Sequence, residues 1–326
     1  MPSRPPHRSP HRRPVCAVTT AALAVAATVV AGCTDAAPAP ADPNRVDVVA
    51  AFYPLQFVSE RVGGDAVRVT SLVEPGVEPH DLELNPAQVA LVAQAELVLY
   101  LKGFQPVVDE AVAQEADGRA LDVATTVPLL TAEDADHDHA GEPVAAAEPE
   151  GSRETRDPHV WLDPTRLATI ADRVADRLAQ VDPDRAAAYR AGAAKLRTEL
   201  EALDREFAAG LRGCARREVI TSHTAFGYLT QRYGLEQIGI SGLSPEDEPP
   251  PQRLRQVIAE AREHKATTIF FETLVSPRVA ELIAQEVGAR TAVLDPLEGL
   301  EPGSSDDYFA VMRRNLGTLR TALGCP

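Results

Sequence analysis

Positive charge is in short supply. The chain of 326 residues carries 32 Lys and Arg against 48 Asp and Glu, for a net charge of −16. Such a surface is a poor match for a phosphate backbone, which argues against nucleic acid as a partner. The chain also lacks an HExxH motif, a CxxC motif and any internal repeat, and no nucleophile or oxyanion motif stands out. Cysteine occurs only four times. Hydrophobic content of 44% and charged content of 25% are those of an ordinary globular protein. The length suits one large domain or two lobes and is ample for a buried core.

Acid is missing altogether from residues 1–32, which hold Arg4, Arg8, Arg12 and Arg13. An apolar run from Val15 follows and ends at Val30-Ala31-Gly32-Cys33. A basic stretch, an apolar stretch and small residues before a cysteine resemble a bacterial lipobox. That resemblance implies a signal peptide at 1–32, cleavage before Cys33 and a lipid on its thiol. A single transmembrane anchor is the alternative, and the run is short and rich in Ala for one. Losing the four arginines takes the net charge from −16 to about −20. Residues 33–45 are polar and rich in Pro and Ala, a tether. With Cys16 removed and Cys33 lipidated, Cys214 and Cys325 remain in an oxidising compartment. An even pair there favours a disulfide, with free thiols as the alternative. The bridge would close a loop of about 110 residues, for ~4–5 kcal/mol in the chain-entropy model.

Three stretches follow. In 46–163, strand-like runs at 46–53, 67–73 and 97–101 flank a segment of helical spacing at 85–95. The stretch 164–213 reads as helix. One helix covers 164–181, and Asp182-Pro183 looks like a cap and first turn. From there Tyr189, Ala193, Leu196, Leu200, Leu203, Phe207 and Leu211 recur at steps of three and four. They predict one long linker helix over 183–212, about 40 Å in length. In 214–326, runs at 218–223, 267–272 and 289–295 read as buried strands separated by helices at 251–264 and 277–288. The fold class is therefore α/β, with two (β/α) lobes on parallel-sheet cores joined by one long helix. Residues 131–157, acidic and poor in apolar side chains, read as a disordered surface loop.

Three histidines lie in segments that should end at the sheet edges: His80 a few residues beyond the strand ending near Val73, His159 just before the helix that begins at Pro164, and His223 closing the strand EVITSH. Glu272 and Asp295 close two further runs. Open α/β sheets bind ligands outside the carboxyl ends of their strands, so both lobes would aim these groups at one cleft. Neutral imidazoles suit Zn²⁺, and three histidines plus one carboxylate or water fill a tetrahedron. A site richer in carboxylate oxygen would suit Mn²⁺ better. Asp295 is the leading fourth ligand; Glu78 and water are the alternatives. Asp157 and Asp163 flank His159 and are placed to accept its second ring proton, with Glu272 in a similar supporting place. His137 and His139, in DADHDHAG, read either as a weak metal-collecting site or as a solvated linker. His264 reads as a surface residue near a helix end.

Five segments carry a family resemblance: AFYPLQFVSERVGGD (51–65), PGVEPHDLELNP (75–86), DPHVWLDP (157–164), TSHTAFGYLTQRYGL (221–235) and FFETLVSP (270–277). Together they resemble the ZnuA-type zinc-binding lipoproteins, metal-binding solute-binding proteins (cluster A-I) of ABC transporters, along essentially the whole chain from Val46 onward. The resemblance implies a periplasmic-binding-protein-like fold of the helical-backbone type, with a rigid linker and small lobe movements. It implies His80, His159 and His223 as ligands, with an acid late in the second lobe falling on Asp295. It implies that Zn²⁺ is the transported ligand, captured outside the membrane by a lipid-anchored monomer. The partners it implies are an ABC permease and its cytoplasmic ATPase. Manganese-preferring relatives often place Glu where His223 stands, so His leans toward zinc. The loop at 131–157 matches the family's His-rich loop in place but holds only two histidines. The competing readings are a Mn²⁺-binding member of the same family, a surface adhesin on the same fold, and a secreted zinc hydrolase using Glu78 or Glu272 as base.

Overall fold

The apolar runs form strands of two parallel sheets, mostly buried at the centre of each sheet and partly exposed at its edges. The structure, a computed structural model, describes residues 44–131 and 156–326, all within the unit Ala41–Pro326. The signal-peptide and lipid-anchor assignments (1–32, Cys33) and the loop histidines His137 and His139 lie outside the described residues. The first sheet holds β1 (Val46–Ala50), β2 (Val67–Ser71), β3 (Leu97–Tyr100) and β4 (Ala120–Asp122), in the order β2-β1-β3-β4. The second holds β5 (Glu218–Thr221), β6 (Glu236–Gly239), β7 (Thr268–Phe271) and β8 (Arg290–Val293), in the order β6-β5-β7-β8. Every pairing is parallel; Val48, for example, lies opposite both Val69 and Leu97. The two α/β lobes expected from the sequence are thus present. In each sheet the chain leaves its first strand toward one neighbour and later returns on the other side. That reversal opens a crevice at the carboxyl ends of the two central strands.

Helices α1 (Tyr53–Gly63), α2 (Pro86–Gln94) and α3 (Pro106–Glu115) pack on the first sheet side of the chain, and α6 (Gly227–Tyr233), α7 (Pro251–Glu263), α8 (Arg278–Val287) and α9 (Tyr308–Leu323) follow β5. Between the lobes run α4 (Pro164–Val181) and α5 (Ala186–Gly210). Helix starts follow local chemistry. Asn85 and Gln88 form a capping box for α2, and Asp163 caps α4 ahead of Pro164. The long helix differs at its start from the sequence expectation. A single 3-10 turn, Pro183–Arg185, precedes it, and Asp182 does not cap it. Its carboxylate instead accepts from Tyr189 Oη at 2.7 Å and Arg185 at 2.6 Å.

Helix α5 buries the stripe Tyr189, Ala193, Leu196, Leu200, Leu203 and Phe207. It lies so close to α1 that a Cβ at Gly192 would stand 2.4 Å from the Val62 carbonyl oxygen. A Gly192→Ala variant should therefore lose ~1–3 kcal/mol of stability and melt at a lower temperature, although Ala is the better helix former. A raised melting temperature in a thermal scan would show that the contact relaxes freely. One continuous core joins Val48 and Leu99 of the first sheet, Leu200 of α5, and Phe226, Phe270 and Met312 of the second lobe. A smaller cluster, including Ile220, Ile269, Val257 and Ile283, belongs to the second lobe alone. Cys214 and Cys325 form a disulfide across a separation of 111 residues, tying the end of α9 to the segment before β5. Among the described residues no helix is long and apolar enough to cross a membrane.

Candidate metal centre

His80 leaves the loop after β2, where Pro79 accepts a hydrogen bond from buried Gln105 at 3.1 Å and the His80 ring meets Phe104 edge-on at 4.7 Å. His159 precedes the short turn Val160–Leu162, pinned by Trp161. Its ring packs on Trp161 at 5.3 Å, and Phe52 packs against both Trp161 and Phe104. His223 follows β5 in the crevice of the second sheet. Its carbonyl accepts from Thr221 Oγ1 at 2.7 Å and from Gln237 Nε2 at 3.1 Å. The structure brings these three imidazoles together with one carboxylate, that of Glu298.

All four ligand-capable atoms lie within 4.8 Å of one another. Glu298 Oε1 stands 3.0 Å from His159 Nε2, 3.2 Å from His223 Nε2 and 3.6 Å from His80 Nε2. The Nε2 atoms of His159 and His223 are 3.4 Å apart. With bonds of ~2.0–2.1 Å, tetrahedral Zn²⁺ sets its ligand atoms ~3.3 Å apart, so these separations fit that edge length. His80 Nε2 and Glu298 Oε2 are buried and have no hydrogen-bond partner. Buried polar atoms without partners are costly, and a metal ion held in the cluster would satisfy His80 Nε2.

The outer nitrogens are occupied. His159 Nδ1 faces Asp157 Oδ1 at 2.7 Å, and His223 Nδ1 faces Glu272 Oε1 at 2.5 Å. Each carboxylate accepts the Nδ1 proton and leaves the Nε2 lone pair pointing inward. Asp157 is fixed in turn: its amide donates to Leu130 and its carbonyl accepts from Tyr228 Oη at 2.8 Å. Glu272 also accepts from Ser222. Burial lowers the His80 imidazole below its ordinary value. Burial opposes charge on His159 and His223 too, but the facing carboxylates outweigh it and raise both. Glu298, despite complete burial, is held well below the carboxylate range by the three imidazoles.

Two expected positions differ. Asp295 is not in the cluster. Its Oδ1 accepts from Leu297 N at 2.8 Å, bending the chain so that Glu298, three residues on, enters the site instead. Burial raises the Asp295 carboxyl to about 6. Asp163 does not orient His159; it caps α4 through Thr165 N at 2.8 Å and pairs with Arg166 and Arg232. Glu78 lies beside the cluster without joining it. Its Oε1 accepts from His80 N at 3.1 Å, and burial together with the neighbouring Glu298 charge raises its carboxyl to about 9. His264 pairs with Glu218 at 3.3 Å, away from the cluster. Glu298 was within reach of sequence reasoning, in AVLDPLEGL, but the strand-end rule points to the first acid after β8 rather than the second.

The family described as zinc-uptake complex component A, periplasmic (ZnuA) matches residues 48–322. The high-affinity zinc uptake system protein ZnuA of Bacillus subtilis (strain 168) is 32% identical over 284 residues, covering 86% of this chain and 88% of that protein. The zinc-binding protein AdcA of Streptococcus pyogenes serotype M3 is 33% identical over 287 residues, or 85% of this chain. The match spans only 56% of AdcA's own length. Among solved structures, the Zn(II)-bound ZnuA-like domain of Streptococcus pneumoniae AdcA has a TM-score of 0.70 and 29% identity, covering 86% of this chain and 99% of that domain.

Proposed function

Because the chain belongs to the ZnuA family of zinc-uptake components, we propose that it captures Zn²⁺ outside the cytoplasmic membrane and delivers it to the permease of an ATP-driven ABC importer. The family is one of binding proteins, and the chain is not an enzyme. His80, His159, His223 and Glu298 are the ligands in this reading. The observation that carries it is the set of Nε2 and Oε1 separations of 3.0 to 3.6 Å, with His80 Nε2 and Glu298 Oε2 otherwise unpartnered. Three nitrogens and one oxygen favour Zn²⁺ over Mn²⁺. Asp157 and Glu272 hold the two buried imidazoles in the tautomer that binds metal. Cys33 is the lipid anchor that keeps the protein at the outer face of the membrane, where it acts as a monomer. A relative from Streptococcus pneumoniae carries the name lipoprotein, which supports that placement. His137 and His139, outside the described residues, collect metal for the site in this reading. The core shared by both lobes supports delivery by loop movement rather than wide hinge closure.

The test is a competition titration of the mature protein, stripped of metal and lacking its lipid cysteine, against a chelator of known affinity. One tight Zn²⁺ site with Mn²⁺ bound at least about 100-fold more weakly is expected from the donor set. Tighter Mn²⁺ binding would transfer the protein to the manganese-binding members of the family.

A further inference from the structure

Glu298 is the cluster member least determined by its own strand. β8 ends at Val293, and the chain must double back over the next five residues to bring this carboxylate between the imidazoles. The turn is gripped from several sides. Asp295 Oδ1 accepts from Leu297 N, and Leu297 sits at φ 59°, a left-handed conformation that a leucine adopts only where its surroundings impose it. Trp161 Nε1 donates to Pro296 O at 2.7 Å. Asn315 clasps Asp295 at both peptide groups: its Oδ1 accepts from Asp295 N at 3.0 Å and its Nδ2 donates to Asp295 O at 2.7 Å. A side-chain amide paired this way does what a neighbouring strand would do.

Asn315 is buried in the middle of α9, where asparagine is a poor helix former and a polar side chain is tolerated only when satisfied. Tyr308 lies two turns earlier on the same helix face and donates its hydroxyl to Trp161 O at 2.7 Å. One face of α9 therefore holds both the segment that carries His159 and the turn that carries Glu298.

We infer that Asn315 is a positioning residue for the metal site, setting Glu298 against the three histidines through the Asp295 backbone. The inference rests on the zinc-binding reading above. Asn315 is no part of the ligand cluster, so its effect passes through the turn. Without the amide the turn loses its two-point hold and the carboxylate loses its fixed place. Zn²⁺ binding should then weaken ~10- to 100-fold, the range for losing an outer partner of a metal ligand.

A double-mutant cycle separates this role from general support of the fold. The parent, Asn315→Leu, Glu298→Ala and the double variant are each titrated with Zn²⁺ against a chelator, and the metal-free proteins are melted in parallel. Asn315→Leu is expected to weaken binding ~10- to 100-fold in the parent and less than about twofold in Glu298→Ala, where nothing is left to position. The same loss in both backgrounds, with a lowered melting temperature, would mean that Asn315 only supports the fold and would overturn the inference. Parent-like affinity in Glu298→Ala would remove the ligand assignment itself and the inference with it, while parent-like affinity in Asn315→Leu alone would overturn only the positioning role. Should the leucine variant not fold, Asn315→Asp enters the same cycle. It keeps the acceptor toward Asp295 N and loses the donor toward Asp295 O.

Discussion

A His223→Ala variant should bind Zn²⁺ about 100- to 1,000-fold more weakly than the parent. A four-ligand structural zinc site contributes ~10–16 kcal/mol in apparent binding energy, so an equal share per ligand is ~2.5–4 kcal/mol. The alanine leaves a second loss behind. Glu272 and Glu298 both face the His223 imidazole, and without it each has one partner fewer in a buried place. A Glu272→Gln variant keeps the shape but loses the anionic acceptor for Nδ1. It should lose only ~10- to 100-fold. The order of the two effects is the informative part. If Glu272→Gln cost more than His223→Ala in a chelator competition, His223 would not be a direct ligand.

Zinc should also leave the protein steeply as the solution is acidified. In the metal-free protein burial opposes a proton on His159 and His223, but the carboxylates of Asp157, Glu272 and Glu298 overcome that penalty. Both imidazoles therefore hold protons more firmly than an ordinary histidine, and those protons must depart before the metal binds. His80 is lowered by burial, and Glu298 is kept ionised by its three imidazole neighbours despite burial. Neither contributes a proton to displace near neutral pH. The sign follows directly. Zn²⁺ binds the deprotonated site, so affinity falls as pH drops through the titration range of the two raised histidines, a range that begins above ~6.5. The slope should approach two protons per zinc. Calorimetry in buffers of different ionisation heat counts the protons released, and an affinity flat between pH 6 and 8 would sink the expectation.

The repeating parts of this fold were legible in the sequence and the irregular parts were not. The stripe from Tyr189 to Phe207 declares the long helix because steps of three and four admit one structure. The runs VDVVA, LVLY and TIFF read as buried strands because both their faces are apolar. The strand beginning at Val46 is shorter than the apolar run 46–53. It ends at Ala50, since Pro54 suits the first turn of a helix and Tyr53 opens α1. β4 (ALD) and β6 (EQIG) mix few apolar residues with polar ones, so no apolar run marks them in the sequence. The three histidines could be found because each follows a strand or precedes a helix in a segment whose geometry is set locally. Glu298 could not. Its place depends on Asn315 and Trp161, which are distant in sequence and meet the turn only in the folded chain. Asp163 misled for a related reason: it neighbours His159 in sequence, but the open start of α4 claims its carboxylate first.

The core that runs unbroken through both sheets and the helices between them bears on how metal preference changes among relatives. Lobes that shared no core could be exchanged whole, each bringing its own ligands. Here Leu99, Leu200, Phe226 and Phe270 pack as one body, so a foreign lobe would have to match the packing of its new neighbour before it could offer a histidine. Two of the imidazoles come from segments before α4, while His223 and Glu298 come from the second lobe. A hybrid would therefore disturb the interior and the coordination sphere together. Point substitution at the cluster and its supports would change the coordination sphere and leave that interior intact.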